Sequence, residues 1–328
     1  MTYSIVARDQ QTGELGVAVQ SHFFGVGAIV SWAEAGVGAV ATQSIVEPAY
    51  GPRGLELMGS GKSAPESLHR LLADDPQESV RQVAMVDRWG RVAVHTGGKC
   101  IEAAGHRVGD QVTVQANMMA LPTVWDAMLN AYRATDGDLC DRLLAALDAA
   151  EGEGGDIRGR QSAALLVVKA KATGKPLEDR TADLRVDDHP QPLAELRRLL
   201  EMKRAYDRVD VADELAARGE YEAALAEYSA AHESQPDNSE LAFWHGVALA
   251  LGGREDDARP LLEQAYAEHD GWRELLRRLP ASGLIPADED LVARLTRSGQ
   301  TDFAAPRAEG GPPAGLGEGG PPAGGFAH

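Results

Sequence analysis

TYSIVARDQQTGELGVAVQS, residues Thr2–Ser21, reads as two strands around a turn. Thr2–Arg8 and Leu15–Ser21 carry the strand character, Gln10-Gln11-Thr12-Gly13 supplies the turn, and Val17 and Val19 alternate with small residues as in a half-buried strand. Folded symmetrically about Gln11 and Thr12, this hairpin pairs Val6 with Val17, Ser4 with Val19 and Thr2 with Ser21. Outward from it, strands are predicted at about 28–33, 38–42, 80–87, 91–96, 111–117, 162–169 and 183–187. Helices fit between them at 53–58, 64–73, 122–134 and 139–149, with Pro65 and Pro122 in first turns and Asp138 as an N-cap. Strands joined by hairpins and followed by paired helices predict an α+β fold of antiparallel sheets covered by helices, not a parallel dinucleotide-binding sheet. The glycines of GVGAVA (Gly36–Ala41) do not open a helix as a nucleotide fingerprint would.

The chain of 328 residues has an ordinary globular composition, with 44% hydrophobic and 25% charged residues, and is long enough for two domains. A formal charge of -18 would repel a phosphate backbone, which argues against nucleic acid as a partner. Cys100 and Cys140 are too few for a disulfide framework or a four-cysteine zinc site and suit a reducing compartment. No basic-then-apolar leader opens the sequence and no apolar run approaches about 18 residues, so a cytoplasmic protein away from the membrane is expected. His22, His95 and His106 with Asp87 lack the local spacing of a metal site, and neither a metal nor a cofactor is expected.

The acidity is uneven: residues 1–205 hold 22 basic and 27 acidic side chains, and 206–328 hold 10 and 23. Texture changes there too, from glycine-punctuated β-branched runs to Ala, Leu and Glu at helical spacing. The expected division is a sheet-and-helix domain over 1–205, a helical region over 206–303 and a disordered tail over 304–328, where GGPPAG occurs twice. Within the helical region a 34-residue offset relates Gly219 to Gly253, Ala224 to Ala258, Tyr228 to Leu262 and Ala231 to Ala265. GEYEAALAEYSAAHESQPDN (Gly219–Asn238) resembles the tetratricopeptide pattern, with Pro236 ending a helix; the second copy, less regular, has Pro260 inside its helix. Such repeats could present a groove to a protein partner, dock on the first domain or join two copies into a homo-oligomer, and the Ala and Leu stripes serve all three equally.

Met1-Thr2 permits a further reading. Initiator methionine is removable when the next side chain is small, which would leave Thr2 with a hydroxyl nucleophile and a free α-amine. An α-amine titrates near 7.7–8.0, so a modest depression makes it a general base and no histidine is needed. In the plainer reading, Thr2 only opens a strand. The hairpin arithmetic brings Thr2 beside Ser21, and this raises the interest of the first reading.

TYSIVARDQQTGELGVAVQS, GAVATQ (Gly38–Gln43), AYGPRGLELM (Ala49–Met58), HTGGKC (His95–Cys100), VQANMM (Val114–Met119), GRQSAALLVV (Gly159–Val168) and LRVDDHPQPLAELRRLL (Leu184–Leu200) together resemble an uncharacterised bacterial family, domain of unknown function number 1028. The family is placed among the N-terminal-nucleophile (Ntn) hydrolases. The resemblance implies an αββα sandwich over about 1–205 and cleavage of an amide, in a small molecule or a peptide, by a residue freed at the N-terminus. Proteasome-like relatives support the terminal threonine with a lysine on an early strand, and here the first lysine is Lys62. Arg8, Arg53 or Arg160 could supply positive charge, and Arg160 is carried as a substrate-binding candidate. Asn117 is the candidate oxyanion donor. Ser21 is grouped with Thr2 as catalytic, while His22, Gln43 and Ser44, at strand ends that could converge on Thr2, are candidates for holding substrate. Cys100, with His95 five residues before it, ranks below Thr2 as a nucleophile. The alternative to an amide hydrolase is a non-catalytic scaffold acting through the helical repeats.

Overall fold

In the computed structural model, which describes residues 2–297, the hairpin adopts the expected register: β1 (Thr2–Arg8) lies antiparallel to β2 (Leu15–Ser21), with Ser4 opposite Val19 and Val6 opposite Val17. Asp9 fixes the turn, its carboxylate accepting from the main-chain N–H groups of Gln11 and Thr12 at 2.8 Å each. Two sheets follow. One has the order β10-β9-β2-β1-β8-β7, built from β7 (Gly105–Gly109), β8 (Val112–Asn117), β9 (Ser162–Val168) and β10 (Arg180–Val186) with the first hairpin. The other has the order β3-β4-β5-β6, from β3 (Ser31–Glu34), β4 (Gly38–Ser44), β5 (Arg81–Asp87) and β6 (Val92–Thr96). Their ladders are antiparallel.

Alternation along each strand assigns its two faces. Tyr3, Ile5 and Ala7 of β1 join Val112, Val114 and the inward residues of α3 (Val124–Ala134), α4 (Leu139–Gly152) and α5 (Pro192–Ala217) in one core. Val6, Val17 and Val19, from the other face, pack against Ala39, Ala84 and Val86 of the second sheet. Beyond that sheet, Val40, Val83 and Met85 meet α1 (Tyr50–Gly59) and α2 (Ala64–Asp74). The order is therefore helices, sheet, sheet, helices. Close packing of α1 depends on Gly51, where a Cβ would stand 2.3 Å from the Trp32 ring.

Departures from expectation have local causes. Residues 28–33 do not form one strand: a single 3-10 turn at Val26–Ala28 precedes β3, held by the Ser31 hydroxyl donating to the Gly27 carbonyl at 2.9 Å. Pro122 stands outside α3, because the first main-chain bonds of that helix run from Asp126 and Ala127 to the Thr123 carbonyl. β7 escaped the reading because GHRVG is a short edge strand whose partly exposed residues show no apolar alternation. Pro65 and Asp138 do what was expected. Ser63 and Glu66 form a capping box around the Pro65-containing turn, and the Asp138 carboxylate accepts from the Asp141 N–H.

Helix α5 runs without a break through residues 200–210, and the chain divides into two compact units after Gln235. The first unit ends with α6 (Tyr221–Ser234), packed on α5. The second contains α7 (Ser239–Leu251), α8 (Glu255–Glu268), α9 (Gly271–Ser282) and α10 (Glu289–Thr296). α5 with α6 and α7 with α8 are helix hairpins whose turns hold Gly219 and Gly253 at φ of 81° and 77°. Ala224, Ala231, Ala258 and Ala265 are buried, and a Cβ on Gly246 would come within 3.3 Å of the Ala258 carbonyl oxygen. Pro260 lies inside α8 as read from the sequence. The expected tail at 304–328 lies outside the described residues.

Candidate functional site

The inward face of the sheet pair changes character at one end. Antiparallel pairing places the start of β1, the ends of β2 and β8 and the start of β9 together. The end of β4 and the start of β5 meet them from the second sheet. The inward positions there carry Thr2, Ser4, Ser21, Gln43, Gln82, Gln115 and Asn117, all buried and none formally charged.

Burial of polar groups is tolerable only where they bond one another, and these do. The Thr2 hydroxyl donates to the Ser21 hydroxyl oxygen at 3.1 Å. The Ser4 hydroxyl donates to Gln43 Oε1 at 2.7 Å, and Gln43 Nε2 donates to the Thr2 carbonyl at 3.1 Å and to Gln82 Oε1 at 2.8 Å. Asn117, opposite Thr2 in the β1–β8 ladder, directs Nδ2 to Gln82 Oε1 at 2.9 Å and to the Thr2 carbonyl at 3.4 Å. Gln82 is thus the hub: its oxygen receives two carboxamides, and its nitrogen donates to the Thr96 hydroxyl and the Gly105 and Ala116 carbonyls. The Thr96 hydroxyl in turn contacts His106 Nδ1 at 2.9 Å. Burial, then the charges of Arg107 and His95, hold the His106 imidazole below its usual pKa, which suits Nδ1 as an acceptor.

Left-handed backbone turns leave two of these strand ends. Ser44, directly after Gln43, has φ 74°, and Met118, directly after Asn117, has φ 60°. Such conformations cost a non-glycine residue about 1 kcal/mol or more, and they turn the chain sharply away from the buried cluster.

Of the residues chosen from sequence, Thr2, Ser21, Gln43 and Asn117 are brought together. Ser44 adjoins them along the chain. The His22 main-chain N–H donates to the buried Asp156 carboxylate at 3.1 Å, while its ring Nδ1 is buried without a hydrogen-bond partner. Arg160 turns elsewhere: it reaches Glu151 at 3.5 Å on the helix-covered face, where Glu151 accepts from the Tyr3 hydroxyl at 2.7 Å. A cleft of about 240 Å³ lies there, lined by Gln20, Glu151, Arg160, Leu193 and Arg197 among others, on the far side of the sheet from the Thr2 side chain. Burial, then Glu151, raises the Tyr3 pKa well above its ordinary value. The Cys100 thiol donates to the Arg81 carbonyl at 3.3 Å, outside this cluster. Among the described residues, no group of three His, Cys, Asp or Glu side chains could hold a metal ion, and no helix is long and apolar enough to cross a membrane.

Sequence reasoning missed Gln82, Gln115 and Ser4. Their signal was present but weak: a polar residue at an inward position of an otherwise apolar strand, as in RQVAMVD (Arg81–Asp87) and VTVQAN (Val112–Asn117).

The model of a family of unknown function, DUF1028, matches residues 2–196. The crystal structure of protein SPO2555 from Silicibacter pomeroyi, which carries the same family model, is similar at 31% sequence identity and a TM-score of 0.55, over 61% of this chain and 88% of that one. A search of the curated proteins finds no match.

Proposed function

The chain belongs to the DUF1028 family of unknown function, and from that premise we propose that it is an Ntn-type amide hydrolase whose nucleophile is Thr2 once Met1 has been removed. One observation carries the reading: the Thr2 hydroxyl sits at a strand end, in a buried uncharged cluster, 3.1 Å from a second hydroxyl on Ser21. The order of layers, helices on sheet on sheet on helices, is that of an αββα sandwich and supports the same reading.

In this mechanism the Thr2 α-amine takes the hydroxyl proton as Thr2 Oγ1 bonds to the amide carbonyl carbon. The carbon–nitrogen bond then breaks, the amine departs with that proton, and water cleaves the ester to release the acid and restore Thr2. Ser21 orients the attacking hydroxyl. Asn117 would serve as oxyanion donor by giving up its long contact with the Thr2 carbonyl while Gln82 keeps hold of its carboxamide. Intact mass of the purified chain tests the first step, since Met1 must be absent. Electrophile labelling followed by mass mapping tests the second, with the adduct expected on Thr2; an adduct on Cys100 instead would move the chemistry.

A second reading is a non-catalytic scaffold that binds a protein through tetratricopeptide-like helices. It is favoured by the recurrence of a helix hairpin at 34 residues, Gly219 answering Gly253 and Tyr228 answering Leu262. A chain that keeps Met1, and that no electrophile labels at Thr2, would select it.

A further inference from the structure

The loops around the Thr2 strand end expose apolar side chains: Phe23 and Phe24 after β2, Ile45 after β4, Ile101 before β7, Leu121 after β8 and Ile157 before β9. Phe24 is 67% exposed and Ile157 59%. Solvent-exposed apolar groups gathered at one place mark a binding surface, whereas scattered ones do not. At the opposite end of the sandwich, the β5–β6 and β9–β10 connections expose one such residue each, Trp89 and Leu177.

Hydrogen bonds tie these loops to the strand ends that carry the cluster. The Ser162 hydroxyl, next to Ser21 in the β2–β9 ladder, donates to the Phe23 carbonyl and accepts from the Val26 N–H, so the Phe23-Phe24 loop is fastened on the Ser21 side. On the Asn117 side, Met118 N–H donates to the Ile101 carbonyl at 3.0 Å, and Ile157 N–H donates to the Met118 carbonyl at 3.4 Å. The start of β1, with Thr2, lies between the strand ends to which these loops are fastened. The two arginines of these loops are engaged by carboxylates, Arg158 by Asp156 and Arg160 by Glu151, and the buried cluster itself carries no formal charge. Among the described residues of these loops, no guanidinium is free to receive an anionic group.

On the reading of Thr2 as an amide-cleaving nucleophile, we propose that the substrate is an uncharged amide whose acyl portion is an apolar chain, seated between the Phe23-Phe24 and Ile101-Ile157 walls. The acyl side is the side that remains on Thr2 after the amine has left, so its binding affects both halves of the reaction.

The test uses the full chain lacking Met1 and a series of alkyl β-lactones. Thr2 Oγ1 attacks the lactone carbonyl, the acyl–oxygen bond opens, and the ring oxygen leaves as a hydroxyl, so the adduct has the full mass of the probe. The labelling rate at Thr2 should rise about tenfold or more from a four-carbon to an eight-carbon chain, as partial burial of four methylenes requires. Phe24→Ser and Ile157→Ser, both at exposed positions, should bring the ratio of long-chain to short-chain rates close to one, while Leu177→Ser should keep it. Equal rates for all chain lengths on Thr2 would overturn the acyl-chain assignment and leave the nucleophile standing. No adduct on Thr2 from any probe would overturn both. If the Phe24 and Ile157 variants instead convert a dimer to a monomer in sedimentation with the ratio unchanged, the walls belong to a contact between copies and the proposal fails.

Discussion

The layer between the two sheets has an apolar part and a polar end, built on the same strands. Val6, Val17, Val19, Ala39, Ala84 and Val86 fill the first; two to four residues further along, the same inward positions carry Ser4, Thr2, Ser21, Gln43 and Gln82. Apolar packing is non-directional and tolerates a neighbour of similar volume. The polar end is different, because each carboxamide needs a partner at a particular place and a lost partner leaves a buried group unsatisfied. Replacing paired polar groups with apolar ones of the same shape can be nearly neutral, so the concentration of polar groups at that end is a reason to look for chemistry there.

The comparison can be broken most sharply at Thr2. Thr2→Ala should remove covalent labelling altogether while shifting the denaturation midpoint little. Thr2→Ser should retain measurable labelling. If the Ala variant labels at the wild-type rate, the polar end is structural. The next largest effect is expected at Gln82. Gln82→Leu keeps the volume but takes the acceptor at 2.8 and 2.9 Å from the Gln43 and Asn117 carboxamides at once, leaving each a longer bond to the Thr2 carbonyl, and should destabilise the fold by about 2–4 kcal/mol in urea titrations. In the apolar part, Val17→Ala only removes two methyl groups and should cost about 1–3 kcal/mol. A Gln82 variant milder than the Val17 one would contradict the stated difference between the two parts.

Strand β5 sharpens the contrast across its own two faces. Gln82 points inward to uncharged partners, while Arg81 points outward to Asp75 at 2.8 Å. The hydrogen bond from Arg81 leads the effects that hold the Asp75 carboxyl below its usual range, prevailing over burial. A lowered carboxylate pKa contributes stability that is fully present above the unfolded value, about 3.9, and is lost as pH falls through the folded one. Asp75→Asn should therefore lower stability at pH 7 and flatten its decline in acid; Gln82→Leu should lower it by a similar amount at both pH values. Chemical denaturation at pH 7 and pH 3 measures both. A change no larger than that of Val17→Ala is expected in the helix hairpin: Ala224→Leu overfills a buried position and should destabilise that region by about 1–3 kcal/mol. Unchanged hydrogen exchange in α5 and α6 would show that the hairpin can yield there.

Much of the arrangement is legible in the sequence. The register of the first hairpin followed from the positions of Gln11 and Thr12, since antiparallel pairing makes the two residue numbers of every pair sum to one constant; that alone put Thr2 at the end where Ser21 lies. The cap at Asp138 and the burial of Ala224 and Ala258 were equally local, each resting on one residue's own conformational preference or size. Strand order, by contrast, needed the tertiary structure. Nothing in the residues between 97 and 161 says that β8 and β9 flank the first hairpin on either side, because that choice depends on which face α3 and α4 can cover. The Gln82 hub depended on it as well. A glutamine in an apolar strand looks like an isolated exception until β5 is laid across β8, when Gln43, Asn117 and Thr96 arrive from three other strands to bond it. Arg160 shows the converse. Its place in the chain, two residues before β9, put it at the right end of the sheet, and only packing decided that it turns to Glu151 on the helix side. Period and pairing are properties of a segment and can be read along it. The partner of a buried polar group is set by which segments the hydrophobic layers bring face to face.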